Sequence, residues 1–387
     1  MKRLLFKILC AFFLVSSSLP TPVAVAGEDV ELAKEAKAAI LLDANGTILY
    51  KKNTEEELPP ASVTKMMPLL LLMEAIDNSE ISLKDKVTTS EHAASLGGSQ
   101  IFLQPGEEMT VQDMLKAIAV ASANDASVAI AEFLAGTEEA FVERMNKRAQ
   151  ELGLKHTHFA NPHGLTSENH YTSAGDLAII ACELAKHPAI TNYTGIYMDQ
   201  IREQTPEKTF DLVNTNKLVR FYDGVDGFKT GYTQEAGFCL VATAMRDKTR
   251  FIAITLGEPD AKTRNKEISH MLDFAFARYK NIPLYQTGEL MAKSTIINAE
   301  QEQIKIFADN TKTLLTPKKF DEDKITKEIV WNKLEAPLQK GEVVGRIDIR
   351  NNDEVVQQLP LRSPKKFKKA DWWTLNVRIL KNLFKVF

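Results

Sequence analysis

The apolar run Met66–Met73 is the feature that most limits how this chain can fold. Every one of its residues is apolar, which predicts a helix buried in a large core. Pro59 and Pro60 bring the backbone into it in an extended form, because a residue that precedes proline disfavours the helical region. A chain of 387 residues, 44% hydrophobic and 26% charged, has enough material for such a core and for two domains.

Ser62 and Lys65 stand near the N-terminus of this predicted helix, three positions apart, so they share a face. A serine hydroxyl is a poor nucleophile until a neighbouring base takes its proton. A lysine in a partly desolvated pocket can be that base, because burial lowers its pKa. The pair is therefore a candidate nucleophile and base. The alternative is a serine that caps the helix, followed by a solvated lysine.

Residues 1–26 are predicted to be a secretory signal peptide. Three basic residues precede the apolar stretch Ile8–Val15, and the small residues Ala24 and Ala26 flank Val25 before a glycine. The apolar stretch is too short to span a bilayer. We therefore expect the mature chain to be exported and to act on the outer side of the cytoplasmic membrane.

Charge and cysteine content exclude some classes of protein. The net charge of −3, and the lack of a basic motif in the body of the chain, argue against a nucleic-acid partner. Cys10 would leave with the signal peptide, and Cys182 and Cys239 remain. Two cysteines do not form a disulfide framework, so buried free thiols are expected, although a pair stays possible in an oxidising compartment.

Two strand pairs are predicted. Ala39–Asp43 and Thr47–Lys51 flank Asn45-Gly46, which is a two-residue hairpin signal. Phe238–Ala244 and Phe251–Leu256 indicate neighbouring strands around a turn. The first pair leads directly into the segment that carries Ser62.

A polar patch interrupts the helical pattern in the middle of the chain. Val111–Val120 is predicted to be a helix, and Ser122-Ala123-Asn124-Asp125 follows it. Serine and asparagine favour caps and turns, so the patch alone predicts a connector between helices. His163, in a later loop, is predicted to form structural hydrogen bonds rather than to take part in catalysis.

Lys229-Thr230-Gly231 precedes the second strand pair, which places it on or beside the edge of a strand. A glycine there allows another backbone or a ligand to come close. Farther on, Thr263–Tyr279 is predicted to be a helix with Arg264 in its first turn. A cation at that end is unfavourable for the helix dipole, so Arg264 needs another reason to be present.

The C-terminal part changes character. We predict a catalytic-type domain over residues 27–282, a small β-rich domain over 283–363 and a terminal helix over 364–387. The β-rich region shows short alternating segments around Ile304–Ile306 and later in Ile325–Trp331, Val343–Ile349 and Val355–Leu361.

The tail from residue 365 predicts an amphipathic helix that binds a membrane surface. Its apolar residues form two neighbouring ridges that include Trp372 and Trp373, and its polar side carries Arg378. Seven basic residues against the single acid Asp371 suit an anionic membrane surface and not a membrane-spanning helix. The alternative is a terminal helix packed on the body of the protein, with solvated lysines.

The three motifs together resemble those of penicillin-binding proteins and serine β-lactamases. Ser62-x-x-Lys65, Ser122-x-Asn124 and Lys229-Thr230-Gly231 occur in the order typical of these enzymes. Flanking residues such as Phe102-Leu103-Gln104-Pro105-Gly106 and His163-Gly164-Leu165 resemble the D-alanyl-D-alanine carboxypeptidases of low molecular mass. The resemblance implies an α/β (α+β) β-lactamase or transpeptidase-like domain, with an antiparallel sheet flanked by helices, followed by a small all-β domain.

This resemblance also implies roles for individual residues. Ser62 would attack the last peptide bond of a peptidoglycan stem peptide, with Lys65 as base and Ser122 as proton relay. The residues that would bind the substrate are Asn124, Lys229, Thr230, Gly231 and Arg264. The backbone N–H groups of Ser62 and Tyr232 would bind the oxyanion. Some relatives carry histidine at the position of Tyr232. The expected ligands are peptidoglycan stem peptides and β-lactam antibiotics, with no metal or organic cofactor.

Three other functions compete with this one. A serine β-lactamase shares the acylation chemistry, but a class A enzyme would need a further glutamate, and Glu168 is followed three places on by Tyr171 instead of asparagine. A D,D-endopeptidase is chemically close. A non-catalytic wall-binding protein would not be expected to keep the whole set of motif residues.

Overall fold

The computed structural model describes the backbone of residues 30–202 and 209–383, and side chains as far as residue 378. These residues form two compact units. The larger runs to Glu289 and also includes Phe307–Glu322, and the smaller consists of Leu290–Ile306 and the chain from Asp323 onward. The predicted signal peptide lies outside the described residues.

The described strands and helices are as follows. The strands are β1 (Ala38–Asp43), β2 (Ile48–Lys52), β3 (Lys86–Thr88), β4 (Glu108–Thr110), β5 (Met198–Ile201), β6 (Phe210–Val213), β7 (Val225–Thr233), β8 (Gly237–Arg246), β9 (Thr249–Glu258), β10 (Tyr279–Tyr285), β11 (Leu290–Thr295), β12 (Gln303–Phe307), β13 (Lys312–Pro317), β14 (Ile325–Trp331), β15 (Val343–Asn351) and β16 (Glu354–Arg362). The α-helices are α1 (Met66–Asp77), α2 (Glu91–Ala94), α3 (Val111–Lys116), α4 (Asn124–Ala135), α5 (Glu138–Glu151), α6 (Ala174–Leu184), α7 (Thr191–Thr194), α8 (Leu218–Phe221), α9 (Ala261–Arg278) and α10 (Trp372–Leu383).

An antiparallel sheet with the order β2-β1-β9-β8-β7 forms the centre of the larger unit. Its strands bury both faces, because side chains alternate between the faces of a strand. Ile40 of β1 packs into a core with α1, α4 and α6, whereas Leu41 packs into a second core with α9. The predicted antiparallel sheet flanked by helices is confirmed.

Both predicted strand pairs are present, with one difference in a turn. The loop between β1 and β2 is longer than the two residues that Asn45-Gly46 suggested. The carboxylate of Asp43 accepts hydrogen bonds from the backbone N–H groups of Asn45 and Thr47, which stabilises a four-residue loop. Burial raises the pKa of this carboxyl.

The predicted buried helix is α1, and all eight residues of the apolar run Met66–Met73 are buried in it. The segment that carries Ser62 is not part of it, however. Ala61–Lys65 forms a separate 3-10 turn immediately before α1. The two cysteines, Cys182 and Cys239, are free thiols, as expected, and burial raises the pKa of Cys239 to about 11.

The C-terminal segments form the predicted strands, but they do not all belong to one unit. In the smaller unit β14, β15 and β16 form an antiparallel sheet, and β11 pairs with β12. The sequence predicts a single β-rich domain over residues 283–363. In the structure β13 belongs to the larger unit, because it pairs with β10, which continues directly from α9.

The terminal helix α10 presents both tryptophans to solvent. Trp372 and Trp373 are each 71% exposed, and their rings contact each other edge to face. The sequence predicts Arg378 to lie on the polar side of this helix, facing the membrane surface. Its guanidinium instead donates hydrogen bonds to the carbonyl oxygens of Ala299 and Glu300. Within residues 30–202 and 209–383, no helix is both long and apolar enough to span a membrane.

Candidate active site

Ser62 and Lys65 face each other on the 3-10 turn. In this type of helix, residues three apart are eclipsed, so the two side chains lie directly over each other. The Nζ of Lys65 lies 3.2 Å from the Oγ of Ser62. The 3-10 geometry therefore brings together the two residues that the sequence predicts to be nucleophile and base.

The other two neighbours of Lys65 determine how its protons are arranged. Its Nζ donates to Oδ1 of Asn124 at 2.7 Å and to the carbonyl oxygen of His163 at 2.5 Å. Burial, followed by the charge of Lys229, holds the pKa of Lys65 well below its ordinary value, while Asp125 opposes the shift. A neutral amine has two N–H groups and one lone pair. Because the two oxygens take the N–H groups, the lone pair is left for the hydroxyl of Ser62.

The helix that precedes Ser122 changes type before it ends. After α3 the chain forms a π-helical turn, Ala117–Ala121, and Ser122 then adopts a left-handed conformation with φ of 63°. Such strain in a non-glycine residue is concentrated at functional sites. The hydroxyl of Ser122 is buried and has no hydrogen-bond partner among the described residues.

Asn124 begins α4, and its side chain links two parts of the site. Its Nδ2 donates to the carbonyl oxygen of Gly97, while its Oδ1 receives the bond from Lys65. The next residue, Asp125, accepts hydrogen bonds from the backbone N–H groups of Ile101 and Leu103. The buried carboxylate therefore ties the 97–103 loop to the start of α4, which holds Asn124 in place.

Strand β7 forms the opposite wall. Lys229 is buried, and burial together with the charge of Arg264 lowers its pKa to about 7. The Oγ1 of Thr230 donates to the Oγ1 of Thr215 at 2.7 Å. A Cβ on Gly231 would lie 3.1 Å from the backbone nitrogen of Ser62. The strand thus approaches the 3-10 turn so closely that a side chain at position 231 would require the backbone of the turn to shift.

Arg264 and Tyr232 differ in their exposure to solvent: the first is buried and the second is exposed. Arg264 lies buried in the first turn of α9, where its guanidinium donates to Oδ1 of Asn265. It is near enough to lower the pKa of Lys229. The Tyr232 side chain is 57% exposed, and its ring contacts Phe238 with centroids 4.3 Å apart.

The motif residues are therefore gathered in one place by two segments of helix and one strand. In comparisons with known families, residues 24–260 match the family described as D-alanyl-D-alanine carboxypeptidase. The chain belongs to this family. Residues 279–369 match a second family, described as the penicillin-binding protein 5 C-terminal domain.

Individual relatives agree with this family. The chain is 49% identical over 386 residues to the D-alanyl-D-alanine carboxypeptidase DacF of Bacillus subtilis, covering 98% of each chain. Penicillin-binding protein 5 from Haemophilus influenzae has a similar structure, with a TM-score of 0.71, 30% identity and coverage of 87% of this chain and 98% of that one. Penicillin-binding protein D2 from Listeria monocytogenes, solved in an ampicillin-bound form, gives a TM-score of 0.58 and 30% identity, covering 64% of this chain and all of that one.

Sequence reasoning missed several groups that build this carboxypeptidase-type site. The carbonyl of His163 is the group that meets Lys65, and a carbonyl has no residue-type signal. Thr215 lies in a loop before α8, far from any motif. Asp125 follows Asn124 directly, so its position at the start of a buried helix was a signal that could have found it.

Proposed function

We propose that this chain is a serine D-alanyl-D-alanine carboxypeptidase that removes the terminal D-alanine from peptidoglycan stem peptides. The arrangement around Lys65 is the observation that carries the proposal. In the neutral amine, the bonds to Asn124 and His163 use both N–H groups, which leaves the lone pair for the hydroxyl of Ser62, 3.2 Å away. A general base needs this hydrogen-bond contact with the nucleophile, and a pKa low enough to be neutral.

In the acylation step, Lys65 takes the proton of the Ser62 hydroxyl as Oγ attacks the carbonyl carbon of the penultimate D-alanine. Negative charge develops on the carbonyl oxygen, and the backbone N–H groups of Ser62 and Tyr232 bind it. The C–N bond to the terminal D-alanine then breaks. Ser122 gives its hydroxyl proton to the leaving amine and is reprotonated by Lys65, which suits its buried hydroxyl without a described partner.

The free carboxylate of the substrate requires positive charge on the β7 side. Lys229 and Arg264 are both buried there, and the hydroxyl of Thr230 lies on the same strand as Lys229. Charge-assisted hydrogen bonds to a carboxylate are stronger than neutral ones, so these groups would select a peptide with a free C-terminus. Asn124 would also hold the substrate amide. Water then releases the acyl-enzyme and regenerates Ser62.

A β-lactam would acylate Ser62 by the same attack, because its ring carbonyl takes the place of the scissile amide. The leaving nitrogen remains tethered to the acyl group, so the adduct is expected to be long-lived. The similarity to a protein solved with ampicillin bound supports this expectation.

The test uses the purified mature chain with an acyl-D-Ala-D-Ala peptide and, separately, with labelled penicillin. We expect release of D-alanine and a penicillin adduct that peptide mapping places on Ser62. Ser62→Ala should abolish both, and Ser294→Ala on β11 is the matched control. Rapid hydrolysis of penicillin would favour a β-lactamase, cleavage of cross-linked dimers without D-alanine release would favour an endopeptidase, and no reaction would overturn the proposal.

We also propose that the chain is exported and that its tail binds the outer surface of the cytoplasmic membrane. Trp372 and Trp373 are exposed neighbours on α10, as expected of residues that enter the interface between lipid and water. Four exposed lysines precede them, at positions 365, 366, 368 and 369. Anionic lipid would attract these lysines, while the two indoles supply apolar contact.

A further inference from the structure

A series of buried hydrogen bonds ends at the carbonyl oxygen of Ala61, the residue before Ser62. The backbone N–H of Ala160 donates to Nδ1 of His170 at 2.9 Å. The Nε2 of His170 lies 2.8 Å from Oγ1 of Thr64, and this hydroxyl lies 2.7 Å from the carbonyl oxygen of Ala61. Both Thr64 and His170 are buried.

The partners determine the direction of every hydrogen bond in this series. Because Nδ1 of His170 accepts the N–H of Ala160, the neutral ring carries its proton on Nε2. Nε2 therefore donates to Oγ1 of Thr64. The hydroxyl proton of Thr64 is then directed to the carbonyl oxygen of Ala61, which can only accept.

The carbonyl of Ala61 belongs to the same peptide group as the backbone N–H of Ser62. A peptide group is planar, so a bond that fixes the direction of its oxygen also fixes the direction of its N–H. Ala61 has φ of 49°, a left-handed conformation that alanine seldom adopts. This peptide group therefore needs an anchor to keep its orientation.

The surrounding loop leaves the peptide group little room to move in the folded state. A Cβ on Gly164 would lie 1.9 Å from the oxygen of Ala61 and 2.9 Å from Oγ1 of Thr64. The same loop supplies the carbonyl of His163 to Lys65. One loop thus contacts both the base and the peptide group beside the nucleophile.

We propose that His170 and Thr64 are positioning residues that direct the N–H of Ser62 toward the oxyanion. His170 acts through Thr64, and Thr64 acts through the Ala61 carbonyl, so neither residue touches the substrate. The inference rests on the proposed function, since it assigns a determinant of the oxyanion site in the same reaction.

The neutral form of His170 is part of this arrangement. A second proton, on Nδ1, would oppose the N–H of Ala160. Burial, followed by the charges of His163 and His158, lowers the pKa of His170 to about 4. The other titratable groups nearby are Lys65 on the 3-10 turn, Glu138 beside His163, and Glu235 after β7.

The test compares Thr64→Val, Thr64→Ser and His170→Gln in the full mature chain. The substrates are a peptide ester that ends in D-Ala-D-lactate and its thionoester, in which sulfur replaces the scissile carbonyl oxygen. Sulfur is a weaker hydrogen-bond acceptor, so an intact oxyanion site favours the oxygen substrate. Acylation by labelled penicillin is measured in parallel.

We expect Thr64→Val to lower kcat for the oxygen ester roughly 10- to 100-fold, with little change in KM. An N–H that points in the wrong direction stabilises the oxyanion less, so its loss of rate should be part of the loss seen when such a donor is deleted. The preference for oxygen over sulfur should fall by a similar factor. Thr64→Ser keeps the hydroxyl and should restore both quantities. His170→Gln keeps an N–H donor and should lie between the two.

An unchanged oxygen-to-sulfur preference in Thr64→Val would overturn the proposal, as would a loss confined to KM. If Thr64→Val does not fold, the same preference in His170→Leu decides the question, and an unchanged value again overturns it. A failed proposed function gives a different result: the wild-type chain would then release neither D-alanine from the D-Ala-D-Ala peptide nor D-lactate from the ester. Penicillin acylation would still report on the N–H of Ser62 in that case.

Discussion

The Nζ of Lys65 and the Oδ1 of Asn124 are 2.7 Å apart, and this hydrogen bond joins the turn that carries Ser62 to the first residue of α4. The two residues are 59 positions apart in the chain. Because Asn124 accepts one N–H of Lys65, this N–H does not compete for the hydroxyl of Ser62, from which Lys65 is proposed to take a proton.

Asn124→Asp should therefore impair the base without removing the contact. A carboxylate beside Lys65 favours the ammonium form and raises the pKa of this lysine. Since the base must be neutral, the acid side of the pH profile for penicillin acylation should move to higher pH. Asn310→Asp, at an exposed position, is the control. A profile that keeps its wild-type position would contradict the role given to Asn124.

Gly231→Ala should slow acylation by separating β7 from the 3-10 turn. The added Cβ would lie 3.0 Å from the carbonyl oxygen of Pro60 and 3.1 Å from the nitrogen of Ser62. Both neighbours are backbone atoms, which cannot turn away as a side chain can. Gly97→Ala is a matched control, because its Cβ would meet nothing within 4 Å. We expect at least a tenfold loss in the rate of penicillin acylation for Gly231→Ala, roughly the effect of disturbing one oxyanion donor, and no loss for Gly97→Ala.

Arg264→Ala should weaken turnover of the peptide more than acylation by penicillin. The loss of one charge-assisted hydrogen bond to the substrate carboxylate costs about 1.5–3 kcal/mol. Penicillin also has a carboxylate, but its strained ring depends less on binding. Steady-state kinetics with both substrates measure the difference, and Arg264→Lys should recover part of it. Peptide kinetics like those of the wild type would remove Arg264 from the site.

His170 should make the folded state less stable as the pH falls from about 6.5 to about 4. The unfolded histidine binds a proton over this interval while the buried one does not, so protonation favours the unfolded state. The full effect is about 3 kcal/mol. Urea unfolding at pH 7 and pH 4.5 should show a smaller difference in His170→Gln than in the wild type. His270→Gln, at an exposed position, should keep the wild-type difference.

The tail prediction is best tested by substitution, because a truncation at residue 363 would remove more than the helix. Phe367 is buried and exchanges backbone hydrogen bonds with Leu338. The double variant Trp372→Ser, Trp373→Ser should bind vesicles more weakly and keep its peptidase activity. Phe221→Ser, which also removes an exposed aromatic side chain, is the control.

Vesicles with and without anionic lipid separate the two contributions to binding. Each lysine near an anionic surface contributes about 1 kcal/mol, and salt screens this attraction. Binding of the wild type should fall with added salt but persist, since apolar contact is not screened. Equal co-sedimentation of the double variant and the wild type would show that the two indoles do not contribute.

Local sequence patterns predicted most of the elements and drew attention to the motif residues. The apolar run Met66–Met73, the hairpins and the alternating C-terminal segments are short-range signals, because each depends on neighbouring side chains. The order of the three motifs also identified the kind of site. These features could be read without knowledge of any distant contact.

The sequence by itself determined which residue types meet in the site, and the tertiary structure decided how they work together. The pKa of Lys65 is lowered by burial and by the charge of Lys229, and its hydrogen bonds go to the amide of Asn124 and the carbonyl of His163; all of these come from other segments. The link between His170 and Thr64 spans 106 positions and has no periodic signal. Burial and hydrogen-bond direction arise only when distant segments pack, so protonation states and backbone orientation could not be predicted from the local sequence.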